Sequence, residues 1–167
     1  MFISFRSRTL QLICFVLLVF LPMAAQQSKA PAPLPGSEYS SMYNFLREGE
    51  FVQVTVEDKG HVTGFVSRYG DLESDRGAFL DHFFKHGNLI GNKLTFTTET
   101  VHGIWFEFRG TVERGEGKNA GDEAYYVLKG TLTEYSTDDA KKTSSRSREV
   151  ALKSFPQDAN PTPAERK

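Results

Sequence analysis

From Glu50 onward polar and apolar residues alternate. Val52, Val54 and Val56 are separated by Gln53 and Thr55, and after the turn Asp58-Lys59-Gly60 the same period continues through Val62, Gly64 and Val66. A period of two bounded by a glycine turn predicts a β-hairpin. The alternation resumes at Leu94 and Phe96, runs through Ile104, Phe106, Phe108, Gly110 and Val112, and returns as Tyr126, Leu128, Gly130 and Leu132. A last strand is expected around Val150 and Leu152, after a polar loop over Ser136–Ser145. Turn-bounded strands in this succession predict an antiparallel meander.

Two segments depart from the period of two. Tyr39, Met42, Tyr43 and Leu46 recur at helical spacing, and Phe79, Leu80, Phe83 and Phe84 would form the apolar face of a second helix over Ala78–His86. The fold class expected is therefore mainly β, an antiparallel meander of about six strands forming a small barrel or sandwich, with two short helices.

Within the strands, Val62-Thr-Gly64-Phe-Val66, Phe108-Arg-Gly110-Thr-Val112 and Leu128-Lys-Gly130-Thr-Leu132 each set a glycine between two inward apolar residues. An interior strand glycine packs nothing and weakens the strand, so its recurrence points to sharp bending or close backbone approach. A second reading is that the missing side chains leave room for a ligand or for the first helix. With Gly60-x-Val62-x-Gly64, Gly91-Asn-Lys-Leu94-x-Phe96, Phe106-x-Phe108-x-Gly110 and Leu128-x-Gly130, the stretch 50–155 resembles small exported bacterial β-barrels of the calycin, or lipocalin-like, kind. The resemblance implies an antiparallel barrel that holds an apolar small molecule. It departs from the lipocalin pattern in strand number and in lacking a Gly-x-Trp in the first strand, so no binding residue is carried over from it.

The N-terminus gives the chain an address. Arg6 and Arg8 precede a run from Leu10 to Leu21 that is apolar except for Gln11, and Pro22-Met-Ala-Ala25 then meets the polar Gln26-Gln27. This is the order of a secretory signal peptide over residues 1–25, and an exported protein, periplasmic or secreted, is expected. A Pro-rich linker (26–37), a barrel-like domain (38–155) and a disordered tail (156–167) complete the expected organisation. The only cysteine, Cys14, falls inside the signal, so burial and not disulfides must hold the mature domain together. Without Arg6 and Arg8 the 20 basic residues become 18 against 21 acidic, a net charge near −3 with no block of like charge. That disfavours nucleic acid and membrane surfaces as partners once the signal is removed.

Candidate chemistry is sparse. The inner residues Val54, Val66, Phe96, Phe106, Phe108 and Leu128 are expected to line a core whose mouth admits a small apolar ligand. His82 and His86, four apart on the expected second helix with Asp81 nearby, are candidate metal ligands, and the same residues would otherwise be the wet face of that helix. Trp105, Glu107 and Arg109 share an outer face with Tyr125, Lys129 and Thr131. That face suits an envelope partner protein, or else pairs internally, Glu107 with Lys129 and Arg109 over Trp105. No Gly-x-Ser-x-Gly turn, phosphate loop or mature cysteine is present, and Glu73 and Asp75 read as solvated carboxylates. A non-enzymatic binding protein without a cofactor is the function expected.

Overall fold

The alternating segments become strands, and the apolar residues that set the period, among them Val52, Val54, Val56, Leu94, Phe96, Phe106 and Phe108, are buried. In this computed structural model, which describes residues 34–156 except residues 72 and 139, the strands are β1 (Ser41–Asn44), β2 (Phe51–Val56), β3 (Val62–Tyr69), β4 (Phe79–Ile90), β5 (Lys93–Thr98), β6 (Ile104–Arg114), β7 (Tyr126–Thr137) and β8 (Thr143–Lys153). The expected signal peptide, the linker before Leu34 and the tail beyond Pro156 lie outside the described residues. The eight strands form one antiparallel sheet in sequence order. Its two ends meet at the bridge Tyr43↔Ser154, where Phe155 N–H donates to Met42 O at 2.8 Å and Lys153 N–H to Asn44 Oδ1 at 2.5 Å. Because β1 has four residues and β8 eleven, the barrel is joined along only a short seam.

Both segments expected to be helices are strands, and helical structure among the described residues is confined to single 3-10 turns such as Ser37–Tyr39. In β4 the misleading spacing has a physical cause. Leu80, His82 and Phe84 point inward, while Phe79 and Phe83 belong to an outer aromatic row in which Phe83 lies 5.5 Å from Phe65 and Phe79 4.5 Å from Tyr69. A strand that is apolar on both faces mimics the adjacent pairs of a helical stripe. β1 is too short for alternation to show, and its place follows from pairing Tyr43 with Val52. The stretch read as a polar loop is mostly the outer half of the β7–β8 hairpin. Hydroxyl pairs hold it together, Thr133 with Ser147 at 2.9 Å, Ser136 with Ser144 at 2.9 Å and Thr137 with Thr143 at 3.1 Å, and no apolar face advertises it.

The core fills the inside of the sheet. Phe84, Phe96 and Phe108 stack across β4, β5 and β6, with ring centroids 4.3 and 5.3 Å apart. Burying such rings contributes roughly 2–3 kcal/mol each. The inward glycines make this stacking possible. Gly110 lies opposite Gly130, and a Cβ on Gly110 would meet the Phe108 ring as well as the backbone of β7. At Gly64 a Cβ would run into the Gln53 carbonyl and come within 3.0 Å of the Phe84 ring. Close backbone approach and phenylalanine rings thus account for the space at these glycines.

Candidate functional site at the β3–β4 end of the barrel

Extending the period of two along β3, from Val62 through Gly64 and Val66, brings Arg68 to the inner face, where it is 5% exposed. On β4 the same logic places His82, fully buried, opposite Val66. Arg68 Nε donates to His82 Nε2 at 3.1 Å, and Arg68 Nη1 donates to Asp71 Oδ2 at 2.7 Å and Tyr69 O at 3.0 Å. Because Nε2 accepts, the neutral imidazole carries its proton on Nδ1. That donor is buried and has no partner among the described residues. Backbone groups of Glu99 and Ile104 lie near and favour the charged ring, yet neither meets Nδ1 with hydrogen-bond geometry. Burial first, and then the Arg68 charge, push the His82 pKa down to about 4, so the ring is neutral at physiological pH.

Around this pair the end of the barrel is stiffened by charge. Glu50, 2% exposed, accepts Arg47 Nε at 2.8 Å, Arg47 N–H at 3.1 Å and Tyr69 N–H at 3.0 Å. Arg47 also reaches Asp71 at 3.2 Å, tying the β1–β2 loop to the start of the β3–β4 loop. Thr98 Oγ1 accepts Phe106 N–H at 3.0 Å and donates to Glu99 O. Across the sheet Arg148 lies opposite the core residue Leu132 on β7, with Nη2 3.6 Å from Glu134 and with Nε buried and unpartnered. A second unmatched donor therefore stands on the inner face of the sheet. The Glu50→Gln protein keeps an acceptor but loses the charge that three donors share, and its unfolding free energy is expected to fall by about 1–2 kcal/mol in urea melts.

The six residues expected to line a ligand-binding interior, Val54, Val66, Phe96, Phe106, Phe108 and Leu128, all belong to the core cluster and are at most 2% exposed. Phe106 alone of the six is in ring contact with the polar end, 5.2 Å from the His82 ring. The two expected metal ligands are not brought together. A bulge between Phe84 and His86 shifts the register of β4, so that His82 faces the core while His86 is exposed. No group of three His, Cys, Asp or Glu side chains able to hold a metal occurs among the described residues.

On the outer face Trp105 stacks on Tyr135 at 4.9 Å and not beneath Arg109, which instead pairs with Glu107. Lys129 lies opposite Thr111 and bonds Glu113 at 2.9 Å, so the expected Glu107–Lys129 pair does not form. Thr131 donates to Glu149 at 2.6 Å, and Tyr125 sits in the β6–β7 loop. Asp75, expected to be solvated, pairs with His102 at 2.7 Å. Arg68, Glu50 and Arg148 were not among the sequence candidates. Carrying the alternation of β2, β3 and β8 one step past the apolar residues Val52, Val66 and Val150 finds Glu50, Arg68 and Arg148.

No family model and no curated protein matches the sequence. Among solved structures, intact afifavidin in its apo form aligns with a TM-score of 0.55 at 12% identity, over 77% of this chain and 93% of that one. Rhizavidin aligns with a TM-score of 0.52 at 10% identity, over 73% and 86%. A bradavidin2–biotin complex aligns with a TM-score of 0.48 at 14% identity, over 74% and 97%. The chain is thus a small antiparallel β-barrel protein related in fold to the avidin-type barrels, and the lipocalin-like resemblance holds only as far as that architecture.

Proposed function

We propose that this is an exported, non-enzymatic binding protein that takes a small molecule at the β3–β4 end of its barrel. The ligand would have an apolar body and one hydrogen-bond acceptor, a carbonyl or carboxylate oxygen. The observation that carries the reading is the unmatched Nδ1–H of His82, fully buried beside Arg68 and the Phe106 ring. A buried donor without a partner costs about 1–3 kcal/mol, and a ligand oxygen would relieve that cost. Arg68 fixes the imidazole tautomer, and Phe106 with the inner residues Val54, Val66, Phe96, Phe108 and Leu128 would supply apolar contact beneath. Export is supported by the signal-like order of residues 1–25.

Native mass spectrometry of the protein purified from its own envelope tests the reading directly, followed by calorimetry with biotin, the ligand in the bradavidin2 complex, as first probe. A non-covalent small-molecule adduct is expected, with at least about tenfold weaker retention in His82→Gln, whose terminal amide keeps an acceptor for Arg68 but sets no donor at the Nδ1 position. Bare protein in the spectrum together with no biotin heat would overturn the proposal, as would undiminished binding by His82→Gln.

A further inference from the structure

At the opposite end of the barrel, beside the seam where β1 meets β8, lies a concavity of about 530 Å³. Its wall combines Glu38, Ser41, Asp122, Tyr125, Tyr126 and Phe155. The loop that forms one side of it is held rigidly. Arg114 donates to Tyr125 O at 2.7 Å and Gly117 O at 3.0 Å, while Asp122 Oδ2 accepts the backbone N–H groups of Lys118 at 3.0 Å and Asn119 at 2.8 Å. Behind it Ala124 N–H donates to Ser154 O at 2.9 Å and Ser154 N–H to Tyr126 O at 2.9 Å. Tyr126 is set edge-on against Tyr39 at 5.0 Å, and burial, then Tyr125, Glu38 and Tyr39, raise its phenol above the ordinary value.

The chemistry of this wall is amphipathic. Tyrosine and phenylalanine rings give flat apolar faces with polar tips, serine hydroxyls can donate or accept, and Glu38 offers an exposed carboxylate acceptor. Ser154 Oγ accepts from Tyr126 N–H at 3.2 Å, which leaves its own proton free to be donated. A cation is the less suitable guest. The Arg114 guanidinium already lies 3.4 Å from the Tyr125 ring centroid and 5.9 Å from that of Tyr126, so the attraction of these rings for positive charge is largely used. Rings with hydroxyls and a carboxylate, but without a spare cationic partner, match a neutral polyhydroxylated molecule whose C–H face stacks and whose hydroxyls donate to Glu38. The volume lies within the usual range of small-ligand sites, roughly 300–1,000 Å³.

We propose that this seam concavity is a second binding site, selective for a neutral saccharide. It shares no residue with the β3–β4 end, and neither assignment depends on the other. Titrating the 15N-labelled exported protein with chitobiose, cellobiose and maltose, each to millimolar concentration, tests it. Saturable amide shifts confined to Ser37–Ser41, Gly121–Tyr126 and Ser154–Phe155 are expected with at least one sugar. Glu38→Gln should weaken that binding about tenfold without changing the melting temperature. Tetramethylammonium chloride serves as the cationic control. The proposal is overturned by the absence of shifts with all three sugars, by shifts that cluster around His82, by tetramethylammonium perturbing the same amides while the sugars do not, or by unchanged affinity in Glu38→Gln.

Discussion

Acidification from pH 6.5 to pH 4 is expected to lower the melting temperature of the protein by roughly 10 °C, and most of that loss should vanish in His82→Gln. In the folded barrel His82 stays neutral down to about pH 4, because burial and the neighbouring Arg68 charge both oppose its protonation. In the unfolded chain the same ring binds its proton near pH 6.5. Between these values the unfolded state takes up a proton that the folded state refuses, so stability is full above pH 6.5 and falls as the pH drops towards 4. The gap corresponds to about 3 kcal/mol. Glu57 and Glu113 are held below their ordinary value of 4.5 by hydrogen bonds to Thr63 and to Lys129 respectively, so their stabilisation is lost only as the pH falls below 4.5, at the acid end of this window. Because every other titrating group is common to both proteins, the difference between the wild-type and His82→Gln melting curves reports His82 alone. Parallel curves from pH 6.5 to 4 would mean that water reaches the ring and that the interior is not as dry as its burial implies.

The same residue shows how far the sequence could be read and where reading failed. Alternation located β2, β3, β5, β6 and β7 and assigned Val54, Val66, Phe96, Phe106, Phe108 and Leu128 to the inner face, because a period of two is what burial of one sheet face imposes. It failed at β4, where an outer aromatic row joins Phe79 and Phe83 to neighbours on β3, so apolar residues appear on both faces and helical spacing results. The relation between His82 and His86 could not be read at all. It depends on a bulge between Phe84 and His86, and the parity of one extra residue leaves no compositional trace. Interior charge was missed for another reason. Arg68 follows Val66 and the polar Ser67 and looks like the first exposed position beyond a strand, whereas its partners His82 on β4 and Asp71 in the following loop offset the cost of burial only once the strands are paired. Chain-local pattern specifies faces, and the polar contents of a barrel follow from register.

Gly64→Ala is expected to destabilise the protein by about 3–5 kcal/mol, roughly two to three times the cost of adding one methyl group at an open glycine. Two independent terms contribute. The backbone at Gly64 has φ +150°, a conformation that residues with a Cβ rarely adopt, and this strain costs about 1–3 kcal/mol. The added Cβ would also press into the carbonyl of Gln53 on β2 and towards the Phe84 ring, so either the β2–β3 pairing must open or the Phe84–Phe96–Phe108 stack must move. Gly91, in the β4–β5 turn, isolates the first term. Its φ is +63° and a Cβ there would meet nothing within 4 Å, so Gly91→Ala should cost only about 1–2 kcal/mol. Urea melts of the two variants distinguish the explanations for the recurrent inward glycines. If Gly64→Ala were no worse than Gly91→Ala, backbone freedom would suffice and the space beside Gly64 would have to be soft. A clearly larger loss at Gly64, relieved in part by pairing Gly64→Ala with Phe84→Leu, would show that the glycine exists to let β2 and β3 approach while the phenylalanine ring fills the room a side chain would have taken.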